Sequence, residues 1–278
     1  MRVLHTYADT PRGLYRGLAD FNKKVMHSSN IETVIRRKLK TYPHLSVLEI
    51  GAGKGALLLQ LAKLFPSVSF TGVNKLRSHG PRNEEEWLAL CRELKVSLQK
   101  KPHIVIADAT RLPFEDACFD FVLSQVTFHH VKDKFRALQE VARVLKLGGE
   151  AHIDLDAWQF KKHKPKGIAP EFYRSLFKTL GRESLPRLII MNKQNQFLSL
   201  KKFLKTTAFT INLIRKTCHK KSTYYKPCFT FALHLKKKKK GTLKFSCRRN
   251  SILSRQLTNL PIIDHNPASY GVVDVYRL

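Results

Sequence analysis

The stretch Glu49-Ile-Gly51-Ala-Gly53-Lys-Gly55-Ala56 is where residue type and spacing in this 278-residue chain first suggest chemistry. Closely spaced glycines permit a tight turn and let a ligand approach the backbone. Gly51, Gly53 and Ala56 also fit the G-x-G-x-x-G/A spacing of dinucleotide sites, so the loop alone does not choose its ligand. Glu49, two residues before the first glycine, tilts the choice. A carboxylate there suits a cationic ligand and would repel a pyrophosphate. A second carboxylate, Asp108 in Ala107-Asp108-Ala109-Thr110, can accept a hydrogen bond from an amino group. A third polar segment, Ser124-Gln125-Val-Thr-Phe-His129-His130, follows at short distance.

These residues need elements to position them. Ser46–Ile50 is a short apolar run that stops at the glycines and reads as a buried parallel strand. Ala56–Leu64 carries leucines nearly all round and reads as a buried helix. Residues 68–73 read as a second strand. A helix over 83–99 follows, with Asn83 and Glu86 in capping-box spacing and three glutamates at its positive end. Residues 103–107 and Phe119–Ser124 read as strands three and four. A helix over 132–145, closed by Gly148 and Gly149, leads to a fifth strand over 150–155. Ahead of these lies a polar arm, 1–30, with a short helix near 16–27. Asn30 is the expected N-cap of a helix over 31–41. Beyond 155 we expect a helix near 171–180, another over 199–208, and strand-like runs at 210–215, 228–235, 242–247 and 271–276. Strands alternating with helices at this spacing predict a parallel, doubly wound α/β sheet with right-handed crossovers. Asp108 then sits at a strand's C-terminal end, facing the crevice where such sheets bind ligands.

Three segments, VLEIGAGKG, ADATRLPFEDACFDFVLSQVTFHHV and LQEVARVLKLGG, occur in order over about residues 45–155. Together they resemble class I S-adenosylmethionine-dependent methyltransferases of the type-eleven domain group. The resemblance implies a Rossmann-like, doubly wound sheet of seven mostly parallel strands with an antiparallel last strand. Runs 210–215 and 228–235 would supply strands six and seven. It divides the chain into the arm 1–30, a methyltransferase domain 31–240 (cofactor half 45–155, substrate-side half 156–240) and a basic C-terminal extension 241–278. It implies S-adenosylmethionine as cofactor, with Gly51, Ala52 and Gly53 on the methionine and ribose side and Glu49 near the methionyl amino group. Asp108 would hold the adenine amino group, Ala109 would offer a backbone donor, and Ser124 and Gln125 would face the sulfonium and substrate. One position departs from the pattern. The family usually has Asp or Glu at the end of strand two, where it binds the ribose hydroxyls. Here it is Asn74, beside Lys75 and Arg77, and a neutral amide lacks charge assistance.

Methyl transfer needs alignment and, for weakly acidic acceptors, a base. His129 and His130 are the candidate bases, with Tyr7 and Tyr15 of the arm as groups that could close over the site. Related family members with a similar His-containing segment methylate quinones, sterols and other small or lipid-like molecules, so the expected acceptor is of that kind. The segment after strand four lacks the Asn/Asp-Pro-Pro-aromatic loop that stacks on a flipped base.

Charge keeps a nucleic-acid alternative open. The net charge is +30, and residues 156–278 hold 27 basic against 5 acidic side chains. No Asp or Glu occurs between 184 and 263. An RNA methyltransferase would use that region for phosphate contacts, with Tyr224, Tyr225 and Phe229 as stacking groups. A uniformly basic proteome would explain the charge equally well. A non-catalytic methyltransferase-like binding module is the third reading, supported by Asn74. The five scattered cysteines contain no CxxC pair, so no disulfide framework or metal site is suggested. With no apolar run of signal-peptide or membrane-spanning type, a cytoplasmic location is expected.

Overall fold

The computed structural model describes residues 17–26, 29–97, 101–125, 127, 128, 131, 134–159, 189–191, 197–199, 209–219 and 228–238. The helices expected near 171–180 and over 199–208 lie outside them, apart from Ser199. So do the arm before Gly17 and the whole extension 241–278.

The first described element is α1 (Leu18–Phe21), which runs directly into a π-turn over Asn22–Met26. Phe21, Val25 and Met26 are fully buried. They share a core cluster with Ile31, Val34 and Ile35 of α2 (Ile31–Leu39). The expected cap of α2 needs correction. Asn30 stands at the N-cap position but its side chain makes no capping bond. Asn22 supplies it instead: its Oδ1 accepts the Ile31 N–H at 2.9 Å, and its Nδ2 donates to Glu32.

Next come β1 (Ser46–Ile50), α3 (Ala56–Leu64), β2 (Ser69–Asn74), α4 (Glu84–Leu94), β3 (His103–Ile106) and β4 (Phe119–Ser124). Every residue of β4 is buried, including Asp120, whose carboxylate accepts the Ser46 N–H at 2.9 Å and pairs with Lys146. Helix α4 ends at Leu94, short of the expected residue 99. Lys95 takes the left-handed conformation (φ +53°), and the Val96 N–H bonds back to the Cys91 carbonyl at 2.9 Å. This closing turn is built on lysine, where glycine is the usual signal. At its other end Asn83 accepts the Glu86 N–H at 2.9 Å. The reciprocal bond goes to the Arg82 N–H, so the box is displaced by one residue.

Helix α5 (Lys134–Val144) passes without a loop into β5 (Leu145–Gln159). Gly148 and Gly149 therefore do not close the helix. They lie in the irregularity where β5 shifts register against β4, between the Phe119–Leu145 and Phe121–Glu150 pairs. The junction of α5 and β5 is met by the buried Lys237 ammonium, which donates to the carbonyls of Ala142 in α5 and Leu145 in β5, each at 2.7 Å. A small antiparallel pair, β6 (Ile189–Met191) and β7 (Phe197–Ser199), forms a separate two-stranded sheet. Strands β8 (Phe209–His219) and β9 (Cys228–Lys237) complete the main sheet.

The sheet order is β3-β2-β1-β4-β5-β9-β8. β1 to β5 pair in parallel, and β9 runs antiparallel to both β5 and β8. The mostly parallel, doubly wound expectation thus describes the observed sheet. Chain order reverses between β1 and β4, which is where an open α/β sheet forms its ligand crevice, beyond the strands' C-terminal ends.

Candidate cofactor site

At that reversal β1 ends and the chain turns through Gly51, Gly53 and Gly55, at φ +78°, +55° and +84°. The Gly51 and Ala52 N–H groups both donate to the Val73 carbonyl, at 2.7 and 3.2 Å, which ties the loop to β2. Gly55 is the N-cap of α3 and accepts the Leu59 N–H. Two of the glycines answer different needs. A Cβ on Gly51 would stand 2.0 Å from Thr127 Oγ1, so protein already fills that side. A Cβ on Gly53 would meet nothing within 4 Å. Gly53 presents bare backbone to open space, the arrangement a closely approaching ligand requires.

Two polar side chains at this crevice are buried without partners. Glu49 is 3% exposed, and its Oε2 has no hydrogen-bond partner. Burial alone pushes its carboxyl up to about 8. Gln125, just past the end of β4, is 5% exposed, and neither its Oε1 nor its Nε2 is hydrogen-bonded. The β1–β4 register sets Glu49 opposite Leu123, so both groups belong to the same end of adjacent strands. Native proteins rarely leave buried polar atoms orphaned, and each such atom calls for an explanation such as a ligand.

Other expected site residues are already engaged within the protein. Ser124 is fully buried, and its hydroxyl donates to the Ile50 carbonyl at 2.9 Å, stapling the end of β4 to β1. Asn74 is 2% exposed. Its Oδ1 accepts the Gly53 N–H at 2.8 Å and its Nδ2 donates to the Gly53 carbonyl at 2.9 Å. One lone pair on Oδ1 and one Nδ2 proton remain for any other partner. Ala52 and Ala109 are buried. His129 and His130 lie outside the described residues, as do Tyr7 and Tyr15.

Asp108 follows β3 on the far side of β2. Its Oδ1 accepts the Thr110 N–H and hydroxyl, at 2.9 and 2.8 Å. Its Oδ2 pairs with Lys75 at 3.0 Å. Desolvation works to raise the Asp108 carboxyl, but the Thr110 bonds and the Lys75 ammonium outweigh it and hold it below its ordinary value. Asp108 is therefore an ionised acceptor.

The loop after Asp108 is anchored by a pair that sequence reading did not single out. Glu140 accepts the Leu112 N–H at 2.8 Å. Arg143 donates to the Leu112 and Phe114 carbonyls at 2.9 and 2.6 Å, and to Glu140 itself. Glu140 is buried in α5 beside Ala137, Leu138 and Val141. A charged pair three residues apart within such an apolar face was the available signal.

Fold and site together define an open α/β sheet with a glycine loop at its crevice and a buried, unpartnered carboxyl in β1. Residues 48–153 match the family described as "Methyltransferase domain". The malonyl-[acyl-carrier protein] O-methyltransferase of Geobacter sulfurreducens is 36% identical over 101 residues, covering 36% of this chain and 34% of the relative. The ubiquinone/menaquinone biosynthesis C-methyltransferase of Rickettsia typhi is 30% identical over 150 residues, 54% of this chain and 57% of the relative. A SAM-dependent methyltransferase from Methanosarcina mazei aligns at a TM-score of 0.44 and 21% identity, over 74% of this chain and 98% of that one. The chain thus spans between about a third and somewhat over half of the two curated relatives.

Proposed function

We propose that the protein is an S-adenosylmethionine-dependent methyltransferase whose acceptor is a small or lipid-like molecule. The observation that carries this reading is the unpartnered carboxyl of Glu49, buried in β1 four residues before the open backbone of Gly53. The residues fit the cofactor. Glu49 would take its ammonium group, Gly51 to Gly53 would let its backbone pass closely, and Asp108 would accept from its adenine amino group. Gln125, with a free donor and a free acceptor, would meet the polar groups between them. Bound there, S-adenosylmethionine supplies an electrophilic methyl group on a sulfonium.

The chain's own part is to orient the acceptor and exclude water. Orientation alone can lower a bimolecular barrier by roughly 7–11 kcal/mol when reacting atoms are held in near-attack geometry. For a weakly acidic acceptor, His129 or His130 is the candidate to take the proton. The relatives named for malonyl-[acyl-carrier protein] and for ubiquinone/menaquinone biosynthesis support an acceptor of the small or lipid-like class.

Titration calorimetry with S-adenosylmethionine tests the reading. Wild type should give saturable heat, and Asp108→Ala should bind more weakly. No heat from wild type would leave only a non-catalytic module. Transfer of a labelled methyl group to fractionated cell extract would then identify the acceptor class.

The acid-free stretch 184–263 favours a second reading, with RNA as the acceptor. It predicts RNA binding that weakens steeply with salt, because phosphate contacts release counterions. A flat salt response would remove it.

A further inference from the structure

Asn74 stands at the end of β2, where the family resemblance expects an acid that binds ribose. Its amide is directed instead at one peptide of the glycine loop. It accepts from the Gly53 N–H at 2.8 Å and donates to the Gly53 carbonyl at 2.9 Å. A residue read on both its donor and its acceptor side can be matched by an amide. A carboxylate cannot match it, because it has no proton to give. The clasp spans 21 residues of sequence and closes on a glycine held at φ +55° with open space above it. It is backed from outside as well. Gly80, at the end of the short helical turn Arg77–His79, is buried so closely that a Cβ there would lie 3.1 Å from Asn74 Nδ2.

We infer that Asn74 is a positioning residue: its amide locks Gly53 to the end of β2 and keeps the glycine loop in its ligand-receiving shape, so an acid at this position would damage the site it resembles. The inference rests on reading the glycine loop as the cofactor cradle. It turns the departure from the family pattern into a compensated feature. What the amide forfeits in charge toward a ribose it supplies as order in the loop. An ionised aspartate in place of Asn74 would set its oxygens against the Gly53 carbonyl and leave that carbonyl without its donor. A protonated one would restore both bonds, since a carboxylic acid has one O–H and one carbonyl in nearly the amide's shape. Charged and titratable groups on the surrounding elements are Glu49 of β1, Lys54 of the loop, Asp108 after β3, and Lys75, Arg77 and His79 after β2.

The test compares the full chain with Asn74→Asp and Asn74→Ala. Calorimetric affinity for S-adenosylhomocysteine and thermal melting are each read at pH 7.5 and pH 5. At pH 7.5, Asn74→Asp should bind roughly tenfold or more weakly than wild type and melt at lower temperature. At pH 5 both deficits, taken relative to wild type at the same pH, should shrink. Those of Asn74→Ala should not change with pH. Binding by Asn74→Asp as tight as wild type at pH 7.5 would overturn the inference and restore the ribose-ligand role. Deficits that persist unchanged at pH 5 would overturn it too. Should wild type bind nothing, the cofactor reading falls, and the melting curves still decide the clasp. An Asn74→Asp melting temperature equal to wild type at pH 7.5 would refute it.

Discussion

Two buried polar regions flank the glycine loop, and they are opposites. On the β2 side, Asn74 has both ends of its amide bonded to Gly53. On the β1–β4 side, Glu49 Oε2 and both polar atoms of Gln125 have no hydrogen-bond partner, although each residue is at least as deep as an ordinary core side chain. Burying a polar group without a partner costs roughly 1–3 kcal/mol by protein mutational data. The satisfied side is therefore scaffold, and it holds the loop. The unsatisfied side carries a standing cost, which the proposed cofactor's polar groups would offset. These residues, all polar and all near strand ends, divide into holders and proposed receivers only when their partners are counted.

Exchanging a receiver for its uncharged isostere should give the largest effect. Glu49→Gln should weaken S-adenosylmethionine binding about thirtyfold or more, the scale of a hydrogen bond to a charged group. The same exchange should alter how stability depends on pH. The Glu49 carboxyl holds its proton up to about 8 in the folded protein, against an ordinary value of 4.5. Its contribution to stability is full below 4.5 and declines as pH rises to 8. Wild type should therefore lose melting temperature, relative to Glu49→Gln, across that window. Parallel slopes in paired melts would contradict the burial of a protonated Glu49.

Gly51→Ala is the next largest, because it strikes the scaffold twice. The left-handed backbone costs an L-residue roughly 1–2 kcal/mol, and the new methyl collides with Thr127. Denaturant unfolding should show a loss of about 3 kcal/mol, the backbone cost plus a core overpacking cost of similar size. Gly53→Ala should lose only the backbone part, yet block the ligand side, so affinity should fall more than stability.

Asp108→Ala should lower cofactor affinity about tenfold, one charge-assisted hydrogen bond. It should cost about 1 kcal/mol of stability, chiefly the two Thr110 bonds, because Lys75 is 73% exposed and such pairs contribute little. The smallest change belongs to Ser124→Ala, at about 1 kcal/mol of stability. An affinity loss larger than that stability loss would make Ser124 a receiver and redraw the division.

Several elements were legible because their boundaries are written locally. Ser46–Ile50, Ala56–Leu64 and Phe119–Ser124 agree with expectation to the residue. Each is an apolar-rich run with glycine or a polar residue at one end, and burial rewards that pattern directly. Where the determinant was distant or unusual, the reading failed. Helix α4 stops at Lys95, a residue with no propensity signal for a left-handed cap. Helix α5 is finished by Lys237, more than ninety residues away. Asn22 caps α2 across a turn. At the site, the glycine loop and Asp108 were visible as motifs. The Asn74–Gly53 clasp was not, because only strand pairing brings residues 21 apart face to face. Motif spacing suggested which residues gather, but not which would already be bonded there.

The most direct measurement is proton release on cofactor binding. Titration calorimetry of S-adenosylmethionine at pH 7, repeated in phosphate and in Tris, reports protons exchanged with buffer as the difference between the two heats. A Glu49 that is mostly protonated when free must ionise to accept the cofactor's ammonium. Wild type should therefore release close to one proton per cofactor, and Glu49→Gln should release none from this position. Binding with the same heat in both buffers would contradict the account, and absence of binding would end it.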